Sequence, residues 1–167
     1  YVYGGTATIS GGAITVNGDH GSGVKVSSGT AIISGGTITA NGSVGNGVMV
    51  QSGSTAAISG GAITANGSVG NGVNVTSSGT ATITGGTITA DNRGVNVSSG
   101  TATISGGTIT ADSRGVSVSS GTTTITGGTI KSTGGAIYNE SGTLLEMLGQ
   151  TGDSPCAYWQ GSELVAL

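Results

Sequence analysis

The 167-residue chain carries very little charge. Lys, Arg, Asp and Glu together make up 7% of it, whereas an ordinary globular domain has roughly 25%. Only four residues are cations, namely Lys25, Arg93, Arg114 and Lys131, and the formal net charge is −3. A surface that binds nucleic acid needs a stripe of Lys and Arg to neutralise phosphates, so nucleic acid is not an expected partner.

Residues that carry out chemistry are also scarce. The chain has one His and one Cys, and it has no Phe. His20 alone cannot build a His-based triad or a multi-His zinc site, and Cys156 alone cannot form an internal disulfide. No apolar run approaches the roughly 20 residues of a membrane-spanning helix. We therefore expect no cofactor, no metal, no membrane insertion and no enzymatic activity.

A repeat fills most of the chain. Its unit is close to G-T-x-T-I-(S/T)-G-G-(T/A)-I-T-A, followed by a variable turn and then by G-V-x-V-S-S. The variation in length falls in that one turn, as a solenoid tolerates, because a corner can bulge outward without disturbing the stacked strands. The six copies are spaced 21 to 25 residues apart and align on Ile9, Ile33, Ile58, Ile83, Ile104 and Ile125.

Each copy contains three short segments with period-two alternation, which is the pattern of β-strands. One copy alone cannot bury its apolar positions, but stacked copies can. We therefore predict an all-β fold: a single-stranded parallel β-helix, or β-solenoid, with three short strands per coil and about six coils of 21–25 residues. In the fourth copy the predicted inward positions are Ala81, Ile83, Ile88, Ala90, Val95 and Val97.

The two ends of the chain depart from the repeat. Val2 occupies the same slot as Val26, so we expect further repeats, or another copy of the chain, at this open edge. After residue 142 the repeat stops and bulky side chains collect. The predicted domains are β-solenoid repeats over 1–142 and a C-terminal capping segment over 143–167, which would cover the open end of the core.

Two strings of residues carry a resemblance to known proteins. Residues 104–111 read ISGGTITA, and residues 134–144 read GGAIYNESGTL. These repeats resemble the right-handed parallel β-helix regions of adhesin-like cell-surface proteins of Gram-positive bacteria, over roughly residues 1–145. The resemblance implies an extracellular, cell-surface location and a role as a stalk, an adhesin or a carbohydrate-binding module, but it supplies no functional residues.

Outward-facing Thr residues form the first candidate ligand surface. Such Thr-x-Thr ladders bear a weaker similarity to solenoid ice-binding proteins, in which evenly spaced methyl and hydroxyl groups would order water. Thr is also a good exposed strand residue that pairs well with itself, and Ile32 and Ala57 interrupt the first face. The candidates are Thr6, Thr8, Thr80, Thr82, Thr101, Thr103, Thr122 and Thr124 on the first face, and Thr37, Thr39, Thr87, Thr89, Thr108 and Thr110 on the second.

Two corners and an aromatic pair are further candidates. The segment 91–93 (Asp-Asn-Arg) should stack over 112–114 (Asp-Ser-Arg) as an ion-pair ladder worth about 0–1 kcal/mol per pair. Asp19 and His20 could help to bind a cation, although one carboxylate in a Gly-rich turn is usually only part of the turn. Trp159 could stack on a sugar ring together with Tyr158, or it could cap the core.

The leading hypothesis is a non-enzymatic structural or adhesive module of a secreted or cell-surface bacterial protein. A stiff rod would present Thr, Ser and Asn ladders, including Asn74 and Asn96, at regular spacing. The expected partner is a glycan or a surface protein, or a second copy in self-assembly. Ice is the alternative partner.

Overall fold

A computed structural model describes residues 1–140 in full, together with the backbone of 143–147, 157–160 and 163–166. These residues form strands and turns. In the described part of the chain, no helix is long and apolar enough to cross a membrane. The strands are β1 (Val2–Val16), β2 (Ser22–Ala40), β3 (Asn46–Val50), β4 (Thr55–Ile58), β5 (Ala62–Ala65), β6 (Asn71–Val75), β7 (Gly79–Ile83), β8 (Thr87–Ala90), β9 (Arg93–Val97), β10 (Gly100–Ala111), β11 (Arg114–Val118), β12 (Thr122–Ser132), β13 (Ile137–Asn139), β14 (Thr143–Met147), β15 (Ala157–Gln160) and β16 (Glu163–Ala166).

The chain winds into a parallel β-solenoid of about six turns, as the sequence predicts. Equivalent strands of successive coils pair in parallel, for example β4 with β7 and β7 with β10. The predicted alignment is confirmed residue by residue, because each Ile of the repeat pairs with the Ile of the next coil. The pairs are Ile9–Ile33, Ile33–Ile58, Ile58–Ile83, Ile83–Ile104 and Ile104–Ile125.

The strands of the first and second faces are not separate in every coil, although three short strands per coil were predicted. In the third and fourth coils the two strands are separate, but β10 and β12 each run through both faces without a break. Paired glycines make the corner, and Gly86 has a φ of +84°, a left-handed conformation that a residue with a Cβ rarely adopts. Because the backbone stays extended on both sides, pairing with the next coil resumes after a register shift, as between Ile9 and Ala13.

The predicted Ile, Val and Ala columns fill the interior. Ile83 is 1% exposed and Val95 is 0% exposed, so one continuous core runs along the rod. In the first coil the inward positions of the first and second faces are only partly buried, as Ile9 and Ile14 show, whereas Val24 of the third face is buried. In the last fully described coil two polar residues take inward positions, because Thr123 and Asn139 are 0% and 4% exposed.

Backbone pairing continues into the predicted capping segment. β14 pairs in parallel with β12, with a register shift after Thr124, and β15 pairs in parallel with β13. β16 then pairs antiparallel with β15, which ends the parallel order. The side chains that were predicted to cover the core, such as that of Trp159, lie outside the described residues, so the capping role remains a prediction.

A glycine column lies at the start of the third face. A Cβ on Gly72 would overlap Cγ2 of Ile88 in the following coil and would come within 2.6 Å of the carbonyl oxygen of Gly94. Gly occupies this position in every coil that is followed by another second-face strand. Ala136 occupies the same position after the last second-face strand among the described residues. The column is Gly23, Gly47, Gly72, Gly94 and Gly115.

The glycine column predicts a sharp difference between two Gly-to-Ala substitutions. Gly72→Ala should lower the free energy of unfolding by about 2 kcal/mol, because the methyl overpacks the core against Ile88. Gly18→Ala is the control, since a Cβ at Gly18 meets nothing within 4 Å. Denaturant unfolding followed by circular dichroism measures both. Equal stability of the two variants would contradict the packing described here.

Candidate functional site

The first face carries an unbroken row of threonines, here called the first-face Thr column. Its members occupy the same outward position in consecutive coils and pair in register. Two of them, Thr30 and Thr55, are missing from the sequence-based candidates, although the first follows the same corner glycine as the other members. The column is Thr6, Thr30, Thr55, Thr80, Thr101 and Thr122.

The neighbouring outward row on the first face is interrupted as predicted. Thr8 pairs with Ile32, Ile32 pairs with Ala57, and only then does Thr82 resume the row. Ile32 is 37% exposed, so it lies on the surface as an apolar break. Three predicted candidates continue this row without further interruption: Thr82, Thr103 and Thr124.

The second face carries two outward rows of its own. One is unbroken over five coils and ends where Thr110 pairs with Lys131. The other alternates Ala with Thr in the first three coils and is all Thr from Thr87 onward. The unbroken row is Thr15, Thr39, Thr64, Thr89 and Thr110, and the other is Ala13, Thr37, Ala62, Thr87, Thr108 and Thr129.

The Thr rows form a grid whose hydroxyls are not used up within the protein. Strand spacing sets about 4.8 Å between coils, and two residues along a strand set about 6.6 Å between rows. Within residues 1–140, no hydrogen bond between side chains joins one Thr of these rows to another. Thr87 and Thr108 are exposed and Thr80 is half-buried, so the rows offer hydroxyl and methyl groups to water or to a ligand.

The Asn columns behave in the opposite way, because their amides bond to one another. Asn74 and Asn96 were predicted to display their amides, yet Asn96 Nδ2 donates to Asn74 Oδ1 at 3.0 Å and Asn96 is only 8% exposed. A second pair, which is buried, has Asn71 Nδ2 donating to Asn46 Oδ1 at 2.9 Å. These amide ladders therefore stabilise the stack and leave little for a partner to bind.

A third Asn ladder runs along the exposed corner at the end of the second face. Asn41 Nδ2 donates to Asn17 Oδ1 at 2.8 Å, and Asn66 Nδ2 donates to Asn41 Oδ1 at 2.7 Å. Asn41 thus donates to the coil before it and accepts from the coil after it, whereas Asn17 only accepts and Asn66 only donates. The next residue in the column is Asp91, whose ionised carboxylate cannot donate, so the ladder ends at Asn66.

The predicted ion-pair ladder at the charged corner is wrong. No ion pair within residues 1–140 joins Asp91 or Asp112 to an arginine. The acids end the second face and lie exposed, whereas Arg93 and Arg114 begin the third face and pair with each other in register. The corner places the acids and the arginines on different faces. Each arginine therefore stacks on an arginine, and neither has an opposite charge beside it on its own face.

The two arginines differ in their surroundings. The guanidinium of Arg114 lies 3.7 Å from the ring centroid of Tyr138, which is a cation–π contact. Burial lowers the pKa of Arg93, and so does the charge of Arg114, while Glu140 opposes both effects. The Nε of Arg93 is buried and has no hydrogen-bond partner.

The Gly-rich turn and the N-terminal aromatics complete the surface. Asp19 Oδ1 accepts a hydrogen bond from Ser43 Oγ at 3.5 Å. Among the described residues, no three His, Cys, Asp or Glu side chains are grouped so that they could hold a metal ion. The Tyr1 and Tyr3 rings stack with centroids 6.3 Å apart, and Lys25 Nζ lies 5.7 Å from the centroid of Tyr1. The sequence reasoning did not identify this cluster, although alternate residues on one strand face the same side.

Comparison with known proteins identifies no relative of this chain. Protein-family models, curated proteins and solved structures give no match to this chain. These comparisons therefore do not confirm the resemblance to bacterial surface repeats, and the β-solenoid architecture is shown by the structure. Any function has to be inferred from the rows and clusters described above.

The exposed Asn ladder predicts that Asn66→Asp is harmful and Asn17→Asp is tolerated. Asp at 66 loses the donor to Asn41 Oδ1 and places a carboxylate beside Asp91, so the free energy of unfolding should fall by about 1 kcal/mol at pH 7. Asn17 only accepts within its ladder, and Asp still accepts. The loss should shrink below about pH 4, where carboxyl groups are protonated. Thermal unfolding at pH 7 and pH 3 measures it; a larger loss for Asn17→Asp would contradict the ladder.

Proposed function

We propose that this chain is a non-enzymatic structural or adhesive module of a secreted or cell-surface bacterial protein. Its β-solenoid rod displays rows of Thr and Ser hydroxyls that make weak multivalent contacts with a glycan or a surface protein. The observation that carries the proposal is the first-face Thr column, which is unbroken over six coils and in register from Thr6 to Thr122.

Repetition is what makes weak contacts useful. A single hydrogen bond contributes only about 0.5–1.5 kcal/mol net, so one Thr hydroxyl cannot hold a partner. A linear polymer with its own repeat can engage several members of a row at once, and each further contact is then intramolecular. The continuous core supports this role, because a rigid rod loses little conformational entropy when its rows bind.

The scarcity of chemical groups supports the non-enzymatic part of the proposal. Hydrolases of polysaccharides use two carboxyl groups held across a groove. Asp91 and Asp112 lie side by side in one exposed column on adjacent coils, and not on the two sides of a groove that could hold a sugar. The resemblance to bacterial surface repeats supports the extracellular location.

The adhesive role predicts binding that depends on hydroxyls of the first-face Thr column. On a glycan array and on immobilised bacterial surface protein, the double substitution Thr80→Val with Thr101→Val should weaken binding by about tenfold or more, since two hydroxyls are lost. Val keeps the strand propensity and the shape of Thr. The matched control, Thr80→Ser with Thr101→Ser, keeps both hydroxyls and should bind within about threefold of the natural chain. Equal binding by the Val and Ser variants would count against the proposal.

Ice binding is the second candidate, and the second-face row favours it. That row is unbroken over five coils, from Thr15 to Thr110, and it runs beside a second row that is continuous from Thr87 to Thr129. A regular grid of methyl and hydroxyl groups is the arrangement that would order water. The break at Ile32 and Ala57 on the first face weighs against it.

Ice binding predicts thermal hysteresis or inhibition of ice recrystallisation. Thr82→Tyr or Thr103→Tyr on the first face, or Thr89→Tyr on the second, should abolish the effect on the face that binds, because a bulky ring separates the flat grid from the ice lattice. Ser99→Tyr is the control, since Ser99 is exposed at a corner outside both faces. Absence of any effect of the natural chain on ice growth would exclude this candidate.

A further inference from the structure

Two of the four cations of this nearly uncharged chain lie together on the third face. Arg93 pairs with Arg114 in register on adjacent coils, so their Cα atoms are separated by about one strand spacing of 4.8 Å. Like charges placed directly opposite each other on neighbouring strands are destabilising. Neutral residues would avoid this repulsion, as Asn46 and Asn71 do in the same column. The arginine pair therefore needs a reason other than the stability of the stack.

No carboxylate of the described residues neutralises the pair. Asp91 and Asp112 are exposed beyond the corner and form no ion pair with either arginine, and Glu140 acts on Arg93 only at longer range. The Nε of Arg93 is buried without a hydrogen-bond acceptor. Among the described residues, Arg93 therefore has a donor that lacks an acceptor and a charge that lacks an ion-pair partner.

An aromatic ring adjoins the pair. Arg114 lies 3.7 Å from the Tyr138 ring centroid, and stacking against the ring orients a guanidinium while leaving the N–H groups at its edge free to donate. The backbone register places Trp159 next to Tyr138 on the neighbouring strand. Arginine edges bind carboxylate and sulfate oxygens in a bidentate manner, and aromatic rings pack against the apolar faces of sugars.

We propose that Arg93 and Arg114 form a site for the anionic group of an acidic polysaccharide, a uronate carboxylate or a sulfate ester, with Tyr138 beside the sugar ring. The inference rests on the proposed function in taking a glycan as the ligand, but it uses the third face and none of the Thr rows. A nucleic acid does not fit the site, because two arginines on a chain of net charge −3 neutralise too few phosphates.

The test uses the full chain and three immobilised polymers: polygalacturonate for carboxylate, dextran sulfate for sulfate, and neutral dextran. The natural chain should bind at least one acidic polymer more tightly than dextran, and the preferred polymer identifies the anionic group. Arg93→Gln and Arg114→Gln should each weaken that binding about tenfold, the effect of one charge-assisted hydrogen bond. Binding to dextran should stay unchanged. Glu140→Gln should strengthen acidic binding, because it removes the negative charge that acts on Arg93.

Lys25→Gln is the matched control, because it removes one positive charge from the same face but far from the site. Lys25 lies three strand spacings from Asn96, which is on the same strand as Arg93. Acidic binding should change less than twofold. Arg114→Lys keeps the charge and loses the bidentate edge, so its binding should fall between those of the natural chain and Arg114→Gln. Thermal unfolding checks that all variants fold, and Arg93→Gln should be at least as stable as the natural chain.

The outcomes separate the two proposals. If the natural chain binds dextran and the acidic polymers equally well, or if Arg93→Gln and Arg114→Gln behave like Lys25→Gln, this inference is overturned while the adhesive proposal stands. If the arginine variants lose acidic binding and the Thr80→Val, Thr101→Val variant does not, the arginine site stands and the hydroxyl rows are not the adhesive surface.

Discussion

Each coil of this protein hydrogen-bonds through its backbone to the equivalent residues of the coil before and after it. That in-register stacking makes every residue a neighbour of its own counterparts at about one strand spacing. At a position that repeats from coil to coil, a side chain therefore has to pack well against copies of itself. Ile, Val and Ala satisfy this requirement inside the rod, because identical apolar side chains repeat without leaving a gap, as in the column from Ile33 to Ile125.

The same constraint accounts for the polar composition. Asn and Thr tolerate self-stacking in different ways. An amide is both a donor and an acceptor, so Asn41 can donate to one neighbour and accept from the other. Thr pairs through strand propensity and methyl contacts, and its hydroxyl remains for solvent. Charged residues stack poorly, since a column of like charges repels itself, and this explains why only 7% of the chain is charged.

The repeat predicted the fold because the Ile spacing and the period-two alternation both report directly on stacking. It did not predict contacts that cross a corner or link two different columns. Asp91 and Arg93 are two residues apart, which on a flat strand would bring them together, but the corner separates them. The contact that excludes a Cβ from Gly72 comes from Ile88 in the next coil, and no local pattern indicates it. Thr30 and Thr55 were overlooked because their strands continue with Ile32 and Ala57, whereas the structure shows that the two rows are independent.

Two kinds of position in such a rod can carry a function: the repeated rows, and the single positions that depart from the repeat. The Thr rows consist of residues that stack well on copies of themselves, so such a row is compatible with binding and equally with stability alone. Under the proposed function, only repetition would give a row affinity for a partner. A position that breaks this stacking pattern is more informative, because the stack gains nothing from it. Arg93 over Arg114 is the clearest such position: the pair adds repulsion, buries Nε without an acceptor and lies beside an aromatic ring. A bound anion would offset the repulsion between the two positive charges. Two residues that interrupt an Asn column therefore point to the chemistry of the proposed ligand more specifically than the Thr rows do.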